Sequence, residues 1–240
     1  MLKLNLGVYY MYENIIVIPF RNRDEHLDYF IKNTVPLFQE YLPNTKVVVV
    51  EQNEGKLFNR GAILNVAFKE YENKTKYFFT HDVDMNPTEK CIKELYTRET
   101  TKTDVLGIYT SCCNTLGGII KIRDNVIQMI NGFPNDVWGW GTEDKALQNR
   151  AEYYNIKKIT NLTNNKEYPE YLLRFNDVDD RETRNVSQNI NKHFHNFQRL
   201  NKEQKKKEIM SSGLNNVRYT IVERRMIHDI VELIKVDVHP

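Results

Sequence analysis

The chain has 240 residues and is 40% hydrophobic, which suits one globular domain with a sizeable core. Its formal net charge is only +2, so we expect no nucleic-acid partner, because sequence-independent binding of nucleic acid needs a strongly basic face. The three cysteines lack CxxC spacing and indicate neither a disulfide framework nor a zinc site, and no apolar run is long enough for a transmembrane segment.

Apolar runs alternate with amphipathic stretches through the first 130 residues. The runs are short and continuous, and they predict buried strands at 15–18, 46–50, 77–80, 105–109 and 118–122. The amphipathic stretches predict helices at 27–41, with a break at Pro36, and at 59–71. This alternation is typical of βαβ units, so the sequence predicts an α/β domain with a mostly parallel central sheet.

Single residues predict where the later helices begin and end. Thr88, Asp124 and Thr142 are each expected to cap the N-terminus of a helix, and Gly132 is expected to end the helix that starts at Asp124. Residues 161–190 are rich in Asn, Asp and Arg and show little periodicity. We therefore expect a loop or an insertion over 156–189.

Charged residues follow two of the predicted strands. Ligands of parallel sheets bind beyond the carboxyl ends of the strands, which places Arg21 and Arg23 after one strand and Asp82-Val83-Asp84 after another on the ligand side. Arg60 follows Phe58-Asn59 at the start of a helix and adds a third cation suited to phosphate. Surface salt bridges are the competing interpretation of the arginines.

Two pairs of side chains could hold a metal ion. Asp82 and Asp84 point to one side of an extended segment, and such a pair can bind a divalent cation that holds a diphosphate. His193 and His195 form a second pair, which with Asp84 would make a mixed nitrogen and oxygen site suited to Mn²⁺. Solvated turn carboxylates and structural histidines are the alternatives.

The segment VWGWGTEDK (137–145) contains both tryptophans of the chain. Its glycines let the backbone approach a ligand closely, and an exposed indole is a platform for the apolar face of a sugar ring. A carboxylate beside such a platform could act as a general base on a sugar hydroxyl. A structural alternative is that Glu143 and Asp144 only favour the dipole of the helix they begin.

Six segments in this order resemble the β-1,4-galactosyltransferase family of inverting, metal-dependent glycosyltransferases. They are IIVIPFRNRDEHL (15–27), LFNRGAILNVAF (57–68), FTHDVDMNP (79–87), LGGIIKI (116–122), INGFPNDVWGWGTED (130–144) and SSGLNNVRYTI (211–221). The resemblance covers most of 14–155 and 190–240 and is weak over 156–189. It implies a single Rossmann-like domain of the GT-A type, with a nucleotide-sugar and catalytic core at 14–155, a mobile lid at 190–210 and a C-terminal segment at 211–240.

The resemblance also assigns roles to single residues. Residues matching the donor-binding positions are Pro19, Arg21, Arg23, Phe58, Arg60, Asp82, Val83, Gly118, Trp140 and Glu143. Asp144 matches the catalytic base, and Asp84, His193 and His195 match a Mn²⁺ site like that of the xylose-acceptor branch. Trp140 would stand at the hinge of a mobile loop, whereas Trp138 is expected to be packed structure.

The sequence departs from the family pattern at several positions. Ile190 stands where many members have a metal-binding methionine, and Lys145 stands where a second aspartate helps to hold the acceptor. Thr115 replaces an aromatic residue that restricts many members to galactose, so UDP-GalNAc joins UDP-Gal as a favoured donor. The anchor and stem of Golgi members do not occur in this chain. We therefore expect a bacterial, phage or viral enzyme of the cytoplasm or host-cell cytoplasm rather than a trimmed Golgi-lumen domain.

The sequence thus predicts transfer of a hexose or N-acetylhexosamine from a UDP-sugar to a sugar hydroxyl of a glycan or glycoconjugate, with Asp144 as the base and Mn²⁺ as the cofactor. A transferase of another GT-A family is the nearest alternative. A non-catalytic module that binds sugar nucleotides or glycans is a second. A metal-dependent phosphohydrolase is a third, and it leaves the Trp-Gly-Trp-Gly segment without a role.

Overall fold

The computed structural model describes residues 10–110, 115–160, 168–174 and 191–240. The strands are β1 (Tyr12–Phe20), β2 (Thr45–Gln52), β3 (Thr75–Thr80), β4 (Met85–Pro87), β5 (Asp104–Tyr109), β6 (Ile119–Arg123), β7 (Lys157–Ile159), β8 (Leu172–Arg174), β9 (Arg218–His228) and β10 (Val231–His239). The α-helices are α1 (Asp24–Asn33), α2 (Val35–Tyr41), α3 (Arg60–Glu70), α4 (Glu89–Cys91), α5 (Asp124–Met129), α6 (Glu143–Tyr153), α7 (Tyr168–Tyr171), α8 (Phe197–Arg199) and α9 (Lys202–Ser211). Wider π-helical turns occupy Ile92–Tyr96 and Asn191–Asn196, and a 3₁₀ turn occupies Leu214–Asn216.

Eight strands form one sheet in the order β7-β5-β6-β3-β1-β2-β10-β9. The central run β3-β1-β2-β10 is parallel throughout, whereas β6 pairs antiparallel with both β3 and β5 and β9 pairs antiparallel with β10. The prediction of an α/β domain with a mostly parallel central sheet is therefore confirmed. A separate antiparallel pair joins β4 and β8.

The central strands are apolar because both faces of the sheet are covered. Ile15 and Val17 of β1 pack in one core with α3 and α5, while Ile16 and Ile18 pack in a second core with α1, α2 and the π-helical turn at 92–96. All four side chains are fully buried. Side chains of a strand alternate between faces, so a continuous apolar run is what a strand covered on both sides requires.

The predicted break in the first helix is confirmed, and it falls slightly before Pro36. Helix α1 ends at Asn33 and α2 begins at Val35, so the proline lies in the first turn of α2. A proline is tolerated there, because the N–H that it lacks would have no partner inside the helix.

Two of the three residues predicted as N-caps, Thr88 and Thr142, do lie at the N-cap position of a helix. Only one of them makes a capping hydrogen bond through its side chain. The Thr88 hydroxyl accepts a hydrogen bond from the Cys91 N–H (3.3 Å), as predicted. Thr142 does precede α6, but its backbone is left-handed (φ 86°) and its side chain makes no capping bond.

The cap predicted for Asp124 is wrong, since this residue is the first of α5 and its carboxylate accepts from the Asn73 N–H (2.9 Å). Gly132 ends that region as predicted, with φ +57° and its N–H bonded to the Ile127 oxygen (3.0 Å).

The stretch predicted as a loop or insertion, 156–189, is partly regular. Strand β7 extends the edge of the main sheet beside β5, and α7 leads into β8, which pairs with β4. Residues 161–167 and 175–189 lie outside the described residues, as does Ile190. Within the segment predicted as a lid, 191–210 forms a π-helical turn, α8 and α9, and its mobility stays a prediction.

Asn65 in the middle of α3 clamps the loop that leads to the tryptophan segment. Its side chain is fully buried, its amide nitrogen donates to the Phe133 oxygen (2.7 Å), and its carbonyl oxygen accepts from the Phe133 N–H (2.9 Å). The same amide also donates to Oδ1 of Asn135 (2.8 Å). A buried polar residue in an otherwise apolar helix thus fixes the loop 133–136.

We expect Asn65→Leu to destabilise the fold by about 3 kcal/mol, because it leaves the buried N–H and carbonyl of Phe133 without partners. Urea unfolding followed by circular dichroism measures this difference. Lys69→Met on the exposed side of the same helix serves as a control and should change stability by less than about 0.5 kcal/mol. Equal stability of Asn65→Leu and wild type would contradict the clamp.

Candidate active site

The candidate site begins at the point where the pairing between β1 and β3 ends. Their paired register ends at Val17 and Thr80, after which the His81 N–H donates to the Val17 oxygen (2.9 Å). Pro19, which is buried, has no N–H with which to continue this ladder. The segments that follow the two strands therefore take separate courses at the carboxyl edge of the sheet.

Arg60 is the centre of the site and contacts three carboxylates. Its Nε and Nη2 donate to Oδ1 of Asp82 (3.1 and 2.8 Å), and its Nη1 donates to Oδ1 of Asp144 (3.1 Å). Nη1 also lies 3.9 Å from Oε1 of Glu143. The structure thus brings together four predicted site residues from the end of β3, the start of α3 and the start of α6.

The charges of this cluster do not balance, since one guanidinium faces three carboxylates. Burial and the neighbouring Glu143 raise the pKa of Asp144 well above its usual range. Burial likewise raises the pKa of Glu143, against the effect of Arg60. Although burial opposes it, the three carboxylates raise the pKa of Arg60 above its ordinary value. These pKa shifts follow from burial and from one cation shared by three anions. The guanidinium of Arg60 stays charged, whereas the carboxyl groups of Glu143 and Asp144 resist ionisation.

Two adjacent glycines let the backbone approach the site. A Cβ on Gly117 would lie only 2.0 Å from Oδ2 of Asp144, so the carboxylate occupies space that a side chain would fill. Gly118 has φ +71°, and a Cβ there would lie 2.7 Å from Cδ1 of Tyr109. Gly118 was among the predicted residues, whereas Gly117 was missed, and the Gly-Gly pair itself was its only signal in the sequence.

The two tryptophans of the segment 137–145 differ in burial, as predicted. Trp138 is half-buried against the core, with the Lys56 ammonium 5.8 Å from its ring centroid, whereas Trp140 is 53% exposed. The Gly139 N–H donates to the Phe58 oxygen (2.8 Å), which ties the segment to the start of α3. Left-handed backbone at 139, 141 and 142 turns the chain so that α6 begins at Glu143 beside Arg60. The sugar-platform role of Trp140 stays a prediction.

Arg21 and Phe58 form a second part of the site. The Arg21 guanidinium lies 5.0 Å above the Phe58 ring, and its Nη1 donates to the Lys56 oxygen (2.8 Å). Asn59, which the sequence analysis did not single out, is fully buried, and its side chain caps α3 by accepting from the Ala62 N–H (2.9 Å). That cap fixes Arg60 as the first residue of the helix. Arg23 is exposed immediately before α1.

The remaining predicted residues are close in sequence to residues of the site already described. Asp82 and Met85 close a turn through a hydrogen bond from the Met85 N–H to the Asp82 oxygen (3.2 Å). In that turn Val83 is buried and Asp84 is half-buried. Thr115 is buried two residues before Gly117, and Lys145 follows Asp144 in the first turn of α6 and is partly exposed.

The structure does not bring the three predicted metal ligands together. Among the residues described, no cluster of three His, Cys, Asp or Glu side chains could hold a metal ion. Nε2 of His193 is instead hydrogen-bonded to Oδ1 of Asp136 (2.7 Å), and Lys192 pairs with the same carboxylate (2.6 Å). His193 is buried in this contact, whereas His195 is exposed. The assignment of Asp84, His193 and His195 as ligands stays a prediction.

Comparison with solved structures defines the class of the fold. The Drosophila β1,4-galactosyltransferase 7, as a mutant in complex with manganese, UDP-Gal and xylobiose, matches with a TM-score of 0.76, 21% identity and 95% coverage of both chains. Its catalytic domain in complex with xylobiose matches with a TM-score of 0.73 at the same identity and coverage. The predicted GT-A type of fold is confirmed.

Sequence comparison defines the family. The profile for the N-terminal region of glycosyl transferase group 7 matches residues 9–97, and the profile for the N-terminal domain of galactosyltransferase matches residues 98–173. The chain therefore belongs to glycosyl transferase group 7, and the resemblance to the β-1,4-galactosyltransferases is confirmed.

Two relatives show how far the likeness extends. Bovine β-1,4-galactosyltransferase 1 is 34% identical over 145 residues, with coverage of 58% of this chain and 36% of that protein. Human β-1,4-galactosyltransferase 6 is 34% identical over 152 residues, with coverage of 60% of this chain and 40% of that protein. The matched region is thus about two fifths of each relative's length. No described helix is both long and apolar enough to cross a lipid bilayer.

The raised pKa of Asp144 predicts a pH-dependent stability. A carboxyl group whose pKa is raised by folding binds more protons in the folded state, so its contribution to stability is lost as pH rises above about 4. At pH 7 we expect Asp144→Asn to raise the melting temperature, by on the order of 2–4 °C. The difference should shrink as the pH is lowered towards 4.

Differential scanning fluorimetry at several pH values measures this effect, and Asp28→Asn on the exposed side of α1 is the control. That variant should melt with the wild type at each pH. A lower melting temperature of Asp144→Asn at pH 7 would show that the ion pair with Arg60 outweighs the burial of the carboxylate.

Proposed function

We propose that this protein is an inverting, metal-dependent glycosyltransferase that moves galactose from UDP-Gal to a sugar hydroxyl of a glycan or glycoconjugate. The observation that carries the proposal is the Asp144 carboxylate, held between Arg60 and the backbone of Gly117. It lies in the segment 130–144, which carries the most specific part of the family resemblance. The names of the relatives, and the ligands in the Drosophila structure, support UDP-Gal as donor and a sugar as acceptor.

Asp144 would act as the general base. It takes the proton from the acceptor hydroxyl while the hydroxyl oxygen forms a bond to the anomeric carbon, and the bond from that carbon to the diphosphate breaks on the opposite side. A β-linkage with inverted configuration results. Burial that raises the pKa of Asp144 makes its carboxylate a better proton acceptor, which is the property that a base in this step needs.

The donor would lie along the carboxyl edge of the sheet. Arg21 and Phe58 offer a cation stacked on an aromatic ring, which suits a base and a phosphate, and exposed Arg23 adds a second positive charge. Asp82 and Glu143, both in contact with Arg60, would face the ribose and the transferred sugar. Gly118 allows close backbone approach on the same side.

A divalent cation fits the chemistry of the predicted ligands. Asp84, His193 and His195 would supply one carboxylate and two imidazoles, a mixed donor set that suits Mn²⁺. When bound, the ion would neutralise charge on the departing diphosphate. The structure does not bring these three side chains together, so metal binding through all of them would require a rearrangement of the segment 191–210 or of the Asp82–Met85 turn. A rearrangement of the segment would agree with the prediction that it is a lid.

Acceptor and donor preferences rest on three residues. Trp140 is the exposed indole that would pack on a sugar, and Lys145 places a cation beside the base where relatives are expected to have an aspartate. The small, buried Thr115 keeps UDP-GalNAc as a second donor to be tested against UDP-Gal. The compartment in which the protein acts stays a prediction, with the cytoplasm or host-cell cytoplasm favoured.

The base assignment is tested with UDP-Gal, Mn²⁺ and a panel of sugar acceptors. Asp144→Asn should lower kcat by about 100-fold or more, since a general base contributes roughly 10²–10⁴-fold. Its affinity for UDP with Mn²⁺, measured by calorimetry, should stay within about twofold of wild type. Asp28→Asn on α1 is the control and should transfer sugar normally. Transfer by Asp144→Asn at the wild-type rate would overturn the assignment.

The same assay separates the rival functions. A binding module would bind UDP with Mn²⁺ but form no product with any acceptor. A phosphohydrolase would release phosphate in the absence of an acceptor.

Gly117 provides a test of how Asp144 is placed. Gly117→Ala should lower kcat by about 100-fold, because its methyl group would displace the carboxylate, and a displacement of about 1 Å can cost that much. The double variant with Asp144→Asn should be no slower than Asp144→Asn alone, since both changes act on one group. Additive losses would mean that Gly117 acts independently of the base.

A further inference from the structure

His81 is the residue directly before Asp82, and no step of the proposed reaction uses it. Its side chain is fully buried, and both of its ring nitrogens have partners. Nδ1 lies 3.0 Å from the backbone oxygen of Asp82, and Nε2 lies 2.8 Å from the hydroxyl of Tyr96. Its ring is also edge-on to Phe30, with centroids 5.2 Å apart. A buried imidazole that bonds two partners holds the two segments that carry them at a fixed distance from each other.

The partners determine which nitrogen carries the proton. The backbone oxygen of Asp82 can only accept a hydrogen bond, so Nδ1 carries the proton and donates to it. Burial lowers the pKa of His81 to about 4, so the ring is neutral at neutral pH and Nε2 is an acceptor. The Tyr96 hydroxyl must therefore donate to Nε2. The two hydrogen bonds form one directed chain from Tyr96 through His81 to Asp82.

This chain of hydrogen bonds ends on the backbone oxygen of Asp82, which closes the turn from Asp82 to Met85, called the acidic turn below. The Asp82 oxygen accepts from Nδ1 of His81 and also from the Met85 N–H (3.2 Å). The turn between these residues carries Val83, which is buried, and Asp84. His81 therefore fixes the backbone on which the carboxylates of Asp82 and Asp84 stand.

Tyr96, at the other end, is itself held firmly. Its ring stacks on Phe79 of β3, with centroids 5.1 Å apart and planes at 14°. Its backbone oxygen accepts from the buried ammonium of Lys121 (2.7 Å). It ends the π-helical turn Ile92–Tyr96, and such widened turns occur often at functional sites. The chain of hydrogen bonds thus starts from a rigid part of the core.

We propose that His81 and Tyr96 are positioning residues that hold the Asp82–Met85 turn in the geometry required for metal and donor binding. This inference rests on the proposed function, in which Asp82 faces the donor and Asp84 binds the metal. Neither His81 nor Tyr96 touches the reacting groups. Each acts on the carboxylates through the backbone of the turn, as residues behind metal ligands commonly do.

Tyr96→Phe removes only the hydroxyl that donates to His81. We expect it to weaken Mn²⁺ binding, measured by calorimetry, by about tenfold, the lower end of the effect of residues that orient metal ligands. Hydrogen exchange of the Met85 amide should become faster, because this amide shares the Asp82 oxygen with His81. In the wild type, NMR of the His81 ring should show the proton on Nδ1.

Tyr77→Phe is the matched control. Tyr77 belongs to β3 and is buried in the same core as Tyr96, and its hydroxyl contacts Glu99 and Arg123 rather than His81. This variant should lose stability as any buried hydroxyl deletion does, yet keep the wild-type Mn²⁺ affinity and Met85 exchange rate. An equal loss of Mn²⁺ affinity in both variants would mean that Tyr96 acts only through general stability.

His81 itself gives a second pair of variants if Tyr96→Phe folds poorly. His81→Asn can still donate to the Asp82 oxygen and should keep Mn²⁺ affinity within about threefold, whereas His81→Leu cannot donate and should lose about tenfold or more. Wild-type Mn²⁺ affinity and Met85 exchange in both Tyr96→Phe and His81→Leu would overturn the inference. Failure of the wild type to bind Mn²⁺ would instead count against the proposed function, and Met85 exchange would still decide whether His81 holds the turn.

Discussion

The site depends on one guanidinium shared by three carboxylates. Arg60 begins α3, Asp82 follows β3, and Glu143 and Asp144 begin α6, so this contact joins three separate parts of the chain. Without the cation, three part-buried carboxylates would repel one another at the edge of the sheet. With it, they are held together while retaining excess negative charge.

The scaffold around this cluster is built mainly from polar clamps on backbone groups. Asn59 caps α3 and so places Arg60, while Asn65 ties the same helix to the loop at Phe133. His81 performs the equivalent task for the acidic turn through the Asp82 oxygen. In each case a buried side chain satisfies backbone groups that would otherwise be costly to bury. Buried polar side chains thus hold both the start of the helix that carries Arg60 and the turn that follows Asp82.

The first residues of the segment 191–210 are held to the rest of the domain by hydrogen bonds of polar side chains. His193 and Lys192 both use the Asp136 carboxylate, and the Asn149 amide donates to the His193 oxygen (2.9 Å). Only the contact of Nε2 with Asp136 involves the imidazole of the proposed metal site. If His193 bound a metal through that nitrogen, the ion would replace the carboxylate, and the conformation of the segment would depend on which partner prevails.

Patterns of neighbouring residues were enough to predict the central strands, the split first helix, the acidic turn at the end of β3 and the family of the chain. Such features depend on local periodicity and on short segments, which the sequence displays directly. The contact of Gly117 with Asp144, the left-handed backbone of Thr142 and the hydrogen bond from His193 to Asp136 were not predictable in this way. They arise when segments far apart in the chain are packed together, and no spacing of residues encodes which side chain will meet which backbone. The sequence alone therefore determined the sheet and the kinds of groups at its edge, whereas only the tertiary structure decided which of those groups touch and which carboxyl group resists ionisation.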